Sequence, residues 1–334
     1  MIRILVDGHG GDGAPRVVIE ALKHVLSIRG EDLKLGIVGQ PEAISPVLEE
    51  GGIAAQVELV PAAQTVGMCE APAVAMRQKK DSSIHVGARQ VRDGYWDAFV
   101  SAGNTGALMA ISRLILKTLP GVDRPAIASV IPAIGGCTLL LDSGANVSCS
   151  SEHLVQFALM GSCYMQAAEG IESPRIGLLN IGAEAIKGTD VIKVTASALE
   201  QLDLNFIGNV EGTDLFLDTV DVVVCDGFVG NVALKTMEGV AHFIMHNLRR
   251  ELGGSLSARM GMLLARGAVR RFKSDIDPAE YNGAPLLGLS GIVVKSHGSA
   301  DARAFVNSVM VARREVESGL SKQIVASMNH WTMA

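Results

Sequence analysis

Between Val220 and Gly239 the chain changes its hydrophobic period in mid-stretch, and few folds accommodate the change. Val220 to Val224 is a β-branched run of the kind found in strands buried on both faces. It stops at Asp226-Gly227, and Gly230 follows. From Asn231 the apolar positions Val232, Leu234, Met237, Val240 and Phe243 suit a helix packed on a sheet. Strand, glycine turn, helix is where open α/β sheets place ligands, because amides and a positive helix end converge there. Asp226, Asn231, Lys235 and Thr236 stand at the rim of this unit as polar groups in an otherwise apolar stretch.

The same unit recurs along the chain. Ile2 to Val6 reads as a strand ending in Asp7-Gly8-His9-Gly10-Gly11-Asp12-Gly13, with a helix beginning near Pro15, whose missing donor suits a first turn. Further strands are expected at residues 33–38, 57–61, 97–100, 127–131, 137–141, 175–180, 205–207 and 291–295. Helices are expected at 41–50, 71–80, 83–92, 108–116, 152–168, 190–199, 231–250 and 301–318, with a peripheral helix over 319–334. The alternation means a mostly parallel sheet in one large α/β domain over residues 1–334. A helical hairpin is expected to project from it at about 238–274. Basic residues of that hairpin, among them Arg259, Arg266 and Arg270, suit packing, an anionic membrane surface or an acidic partner. Arg77, Lys79 and Lys80 form another basic edge, either a solvated surface or the rim of a substrate cleft.

Composition removes several function classes. A net charge of −6 provides no global basic field, so nucleic acid is not an expected partner. The five cysteines are odd in number and lack metal-ligand spacing, so neither a disulfide framework nor a metal is expected. No apolar run reaches the roughly 18 residues of a membrane span, and the opening lacks a signal-peptide profile. A cytoplasmic protein is expected. Aromatics are only 4% against 37 glycines, which favours backbone-lined pockets over an aromatic recognition surface.

Polar, glycine-bearing corners follow Val6, Val100, Leu141, Asn180, Val224 and Lys295, and carboxyl ends of parallel strands share one edge, so one cleft is expected. Gly103, Asn104, Thr105 and Gly106 form either a phosphate nest or an ordinary βα turn. Neither a Walker motif nor the dinucleotide fingerprint is completed there, and no Gly-x-Ser-x-Gly elbow occurs. What remains is amide donors with a few Lys, Asn and His, a set suited to a phosphate or acyl-phosphate oxygen. Lys187 is the expected cation. His297 is either structural or a donor to an anion or substrate carbonyl.

Several of these segments resemble a known family. They are Ser101 to Met109, Gly121-x-Asp123-Arg124-Pro125-Ala126, Asp142-x-Gly144-Ala145-Asn146-Val147, Leu179 to Gly182, Cys225 to Gly239, Tyr281-x-Gly283-Ala284 and Lys295 to Gly298. Together and in order they are similar to the phosphate acyltransferases of bacterial phospholipid synthesis. The resemblance implies acyl transfer from acyl-acyl carrier protein to inorganic phosphate without a cofactor. It also implies a three-layer α/β/α homodimer of the isocitrate/isopropylmalate dehydrogenase and phosphotransacetylase type. The product would serve a membrane glycerol-3-phosphate acyltransferase, and the enzyme would be cytoplasmic but peripherally membrane-associated. Gly8-His9 departs from the family's usual Ala-Met at this point. A phosphotransacetylase, a decarboxylating dehydrogenase or a non-enzymatic membrane scaffold are the alternatives.

On this reading phosphate attacks the thioester directly. It sits among the amides of residues 103–106 near Lys187, while Asn231 or His297 holds the oxyanion and Asp226 orients a donor. Asp142, Asn146, Asn180, Gly227 and Gly230 are expected around the substrate. The helices at 152–168 and 108–116 are candidate walls for the acyl chain, and equally candidate core or dimer surface. Arg77, Lys79 and Lys80, or the hairpin arginines, are the expected dock for the acidic carrier.

Overall fold

The computed structural model describes residues 1–29, 32–253, 264–268 and 279–333. Eleven strands among them form one sheet: β1 (Ile2–Asp7), β2 (Leu33–Gly39), β3 (Val57–Pro61), β4 (Ala98–Ser101), β5 (Ala126–Ala133), β6 (Gly136–Leu141), β7 (Ile176–Leu179), β8 (Phe206–Val210), β9 (Val222–Val224), β10 (Ala284–Leu287) and β11 (Ile292–Lys295). Their order is β3-β2-β1-β4-β11-β10-β5-β6-β9-β7-β8. The helices are α1 (Arg16–Arg29), α2 (Pro41–Gly51), α3 (Pro72–Gln78), α4 (Ser83–Arg92), α5 (Thr105–Leu116), α6 (Ser151–Glu169), α7 (Asp190–Leu199), α8 (Gly227–Gly253), α9 (Ala302–Ser318) and α10 (Leu320–Met333).

The sheet is mostly parallel, but its two halves run in opposite senses. β3, β2, β1, β4 and β11 are mutually parallel, as are β6, β9, β7 and β8. Between them β10 and β5 are antiparallel to both of their neighbours, so the direction reverses three times. Carboxyl ends therefore do not share one edge of a single parallel sheet. They meet another way. Lys295 lies beside Ser101 and Ala284, Leu286 beside Ile127, Ala128 beside Leu141, and Leu141 beside Val224. The ends of the first half and the ends of the second fall in one band across the middle of the sheet.

Helices cover both faces, giving three layers. In the first half α1, α2 and α9 pack on one face through Val18, Leu22, Val25, Ile44 and Phe305, and α3, α4 and α5 on the other through Ala75, Ile84, Leu108 and Ile111. In the second half α6, α7 and α10 bury Phe157, Leu199 and Ile324 against β6, β9 and β7. α6 begins at a reciprocal cap between Ser150 and His153 and ends at Gly170 in the left-handed conformation, as helix termini require. It crosses β9 at Gly161, where a Cβ would stand 2.6 Å from Val222, so the close approach needs glycine.

Two expectations are corrected and one open alternative is resolved. The turn expected at 281–284 leads at Ala284 into β10, a further strand that pairs Pro285 with Val294. The apolar face of α8 is laid on the sheet only in part: Met237 packs against the cluster of Leu140 and Val223, whereas Val232, Val240 and Phe243 are exposed in the single chain. Residues 154–165 are buried, so of the readings open for the helix at 152–168 the structure shows core. Residues 254–263 and 269–274 of the expected hairpin lie outside the described residues, Arg259 and Arg270 among them; Arg266 is exposed.

Candidate active site

The band where the half-sheets meet opens into a cavity of ≈ 1350 Å³. Four corners supply its walls: Thr105 and Gly106 after β4, Ser143 and Gly144 after β6, Asn231 and Lys235 on α8, and Lys295 to His297 at the end of β11.

Lys295 is the last residue of β11 and is 9% exposed. Its ammonium donates to the Ser296 carbonyl. Burial, reinforced by the Lys235 charge and opposed by Asp7, brings its pKa down to about 8. Asn282 organises the next two residues. Its Nδ2 donates to Ser296 Oγ (2.8 Å), Ser308 Oγ (2.9 Å) and the Ala304 carbonyl (2.7 Å), while its Oδ1 accepts from the His297 amide (2.9 Å).

The His297 ring is half-exposed, and its Nδ1 accepts the Ser299 amide at 3.2 Å. In the neutral ring this places the proton on Nε2, and the Lys235 ammonium 3.4 Å away, itself only a donor, makes no hydrogen bond to that nitrogen, so the Nε2–H is left for another acceptor. Burial first, and Lys235 second, lower the His297 pKa, so the neutral donor form is favoured. Lys235 is itself paired with Glu238 at 2.7 Å.

The β4–α5 corner begins the helix in the way an anion site requires. Asn104 caps α5 by accepting the Ala107 amide at 3.0 Å, and its Nδ2 ties down the carbonyls of Gly67, Met68 and Glu70. Gly103 donates to Ser101 Oγ. Among the described residues the amides of Thr105 and Gly106 have no protein acceptor, and both residues line the cavity. They are free to meet an anion at the positive helix end.

Other expected site residues have duties of their own. Asp142 is fully buried and accepts the amides of Ile127, Gly144, Ala145 and Asn146 and the Asn146 side chain. Burial pushes its carboxyl up, and these donors pull it back. Gly227 and Gly230 pack against this loop, and a Cβ on Gly230 would overlap the Asp142 carbonyl oxygen. Asp226 caps α8 by accepting the Val229 amide at 2.9 Å rather than orienting Asn231. Asn180 binds the Ile181 amide and the Lys187 carbonyl. Lys187 is exposed and is not among the cavity residues. Lys79 is paired with Glu70 at 2.6 Å, whereas Arg77 and Lys80 are exposed away from the cavity. His9 accepts the Gln40 amide through Nε2 at 2.9 Å, which makes it a brace between β1 and α2.

The sequence reading missed Lys295 as the buried cation and Asn282 as the organiser of Ser296 and His297. The available signal was a lysine closing a β-branched strand, a costly position that suggests a task. No thiolate competes as a nucleophile here. Burial raises Cys225 and carries Cys149 to about 12.

Comparison with known proteins agrees with this fold and shows the family. Residues 2–323 match the family model described as fatty acid synthesis protein. A phosphate acyltransferase from Magnetococcus marinus is 51% identical over 97% of this chain and 94% of its own length. Another from Alkalilimnicola ehrlichii is 50% identical over 97% and 95%. Among solved structures, a phosphotransacetylase from Streptococcus pyogenes superposes with a TM-score of 0.62 at 17% identity, covering 95% of this chain and 94% of the other. A 4-hydroxythreonine-4-phosphate dehydrogenase from Salmonella typhimurium does so at 0.57 and 14%, covering 94% and 99%. Those two likenesses concern the fold alone. By sequence over nearly its whole length, the chain belongs to the fatty acid synthesis protein family, among the phosphate acyltransferases.

Proposed function

We propose that this enzyme transfers an acyl group from acyl-acyl carrier protein to inorganic phosphate, giving an acyl phosphate and free carrier protein. The observation that carries the reading is the polarity of the cavity. One end holds Lys295, Lys235, His297 and the open amides of Thr105 and Gly106; the other is walled by Ile131, Ile134, Phe216, Val240 and Ile244. Phosphate suits the first end and a fatty chain the second, with the thioester carbonyl between them.

Phosphate is nucleophilic at neutral pH and needs placement more than activation. Held by the two amides and Lys295, it attacks the thioester carbon. The developing oxyanion takes the Nε2–H of His297 and the Asn231 amide, each such donor contributing a few kcal/mol, roughly 3. Collapse breaks the C–S bond, and its electron pair leaves with sulfur. The thiolate takes a proton from the Lys295 ammonium, whose lowered affinity suits that transfer. In this reading the assembly is a cytoplasmic homodimer, peripherally attached to an anionic membrane surface. The carrier protein docks at basic residues, and a membrane glycerol-3-phosphate acyltransferase consumes the product.

The test is release of free carrier thiol from a long-chain acyl-carrier substrate, with and without phosphate. Wild type is expected to depend on phosphate, and Lys295→Ala to fall by about 100-fold or more. Lys187→Ala should keep phosphate-dependent turnover, since its side chain lies outside the cavity. Phosphate-independent release, or acyl label trapped on the protein, overturns direct attack. A strong preference for coenzyme A thioesters overturns the carrier as donor.

A further inference from the structure

We infer that Ile134 and Phe216 form the end stop of the acyl trough and set the chain length this enzyme accepts. The inference rests on the acyl-transfer reading above, and it names what that reading leaves open.

The trough has two walls whose lengths follow from backbone geometry. One wall is β5. Its Ser129 lies level with Lys295, because Lys295 pairs with Ala284 and Leu286 pairs with Ile127 in the adjacent antiparallel ladder. From Ser129 to Ile134 is five residues, about 17 Å at roughly 3.3 Å per strand residue. The other wall is α8, which returns antiparallel to β9 and so climbs away from the polar end. From Leu234 to Ile244 is ten residues, about 15 Å at roughly 1.5 Å per helical residue. Both walls line the same cavity.

At the far end the tip of the β5–β6 hairpin meets the short helical turn Asp214–Phe216. The Ile134 amide donates to the Phe216 carbonyl at 2.9 Å, which joins the two pieces across the mouth of the trough. Both side chains line the cavity yet keep outer faces in solvent, Ile134 being 70% and Phe216 40% exposed. The occupant follows from continuity. A chain whose carbonyl sits at the cationic end lies along these walls, because they carry the apolar side chains of the cavity. An extended chain rises about 1.25 Å per carbon, the projection of a bond of about 1.5 Å, so 15 to 17 Å holds roughly 12 to 14 carbons beyond the carbonyl. The expected optimum is a saturated chain of about 13 to 15 carbons, counting the carbonyl carbon.

The experiment measures kcat/KM for thioesters of about 12 to 20 carbons, presented both on carrier protein and on coenzyme A, for wild type, the Ile134→Ala/Phe216→Ala double variant and Ile134→Trp. Removing the stop should raise the ratio of the longest to the optimal chain by about tenfold, and Ile134→Trp should lower the optimal relative to the shortest by a similar factor. Melting temperatures monitor folding, and because a fold defect lowers all lengths together, the ratio still reports the stop. Profiles that keep the wild-type optimum in both variants overturn the end stop while leaving acyl transfer intact. No phosphate-dependent turnover of any thioester by wild type removes the acyl-transfer reading, and this inference falls with it.

Discussion

Replacing Lys295 with methionine is expected to stabilise the protein at pH 7 while removing its activity. Burial brings this lysine from 10.5 to about 8. A difference of about 2.5 units, at roughly 1.36 kcal/mol each, means that the folded state bears about 3 kcal/mol for carrying the charge. With 9% of the residue exposed, solvent relieves little of it. Methionine is unbranched and fits the same slot without a charge. Losing the ammonium's bond to the Ser296 carbonyl gives back about 1 kcal/mol, leaving a net gain near 2 kcal/mol. At about 2.1 cal/mol/K per residue, a 334-residue chain should melt roughly 3 °C higher. The direction with pH is also determined. Below about 8 both folded and unfolded wild type hold the proton, so the full cost is present. Between about 8 and 10.5 only the unfolded chain still binds it, so wild-type stability rises with pH and the gap to the variant closes. Paired thermal melts at pH 7 and pH 10, with turnover measured at pH 7, check this. A variant that melts lower than wild type at pH 7, or a gap unchanged at high pH, refutes the reasoning.

His297→Ala should lower kcat by about 100-fold or more with a much smaller change in KM, as expected for an interaction made mainly in the transition state. Protonation would turn Nδ1 into a donor facing the Ser299 amide, so the acid limb of the kcat profile should lie below pH 6.5, and Lys235→Gln should move it upward. An acid limb above pH 6.5 in wild type would count against the neutral donor. Gly230→Ala forces a methyl onto the Asp142 carbonyl and should cost about 3 kcal/mol or more, read as loss of soluble protein or a melting temperature lowered by several degrees. A variant as stable as wild type would show that the two corners are not in close contact.

Most elements were legible because their residues satisfy local and tertiary demands together. Val222 to Val224 are wholly buried, as a β-branched run predicts, and Asn104 caps the helix that its corner announces. Direction across the sheet was not legible. Repeated strand and helix give parallel neighbours, but the three reversals around β10 and β5 arise from a hairpin and a late strand whose pairing is long-range. The same limit explains the choice of Lys187 over Lys295. Both lysines follow or close a strand, and only tertiary packing buries one and leaves the other in water. Asp142 and Asn146 misled for a related reason. Polar residues at strand ends bind ligands or staple loops, and spacing cannot distinguish a carboxylate already saturated by amides.

The reversal that hid the architecture also explains how the site comes to be amphipathic. In a uniformly parallel sheet every carboxyl end opens onto the same polar edge, and a ligand there meets corners on all sides. Here the second half is staggered so that its strands begin beyond the first half's corners and run back toward them. β5 and β6 therefore continue past Lys295, extending from Ser129 to the Ile134 tip as a bare apolar shelf. α8 leaves the same band and lies along that shelf, so the wall that begins with Asn231 and Lys235 ends with Val240 and Ile244. Charged end and greasy end are thus successive turns of the same elements. A substrate with an anionic partner at one end and a long chain at the other matches that order, and neither half-sheet alone would supply both.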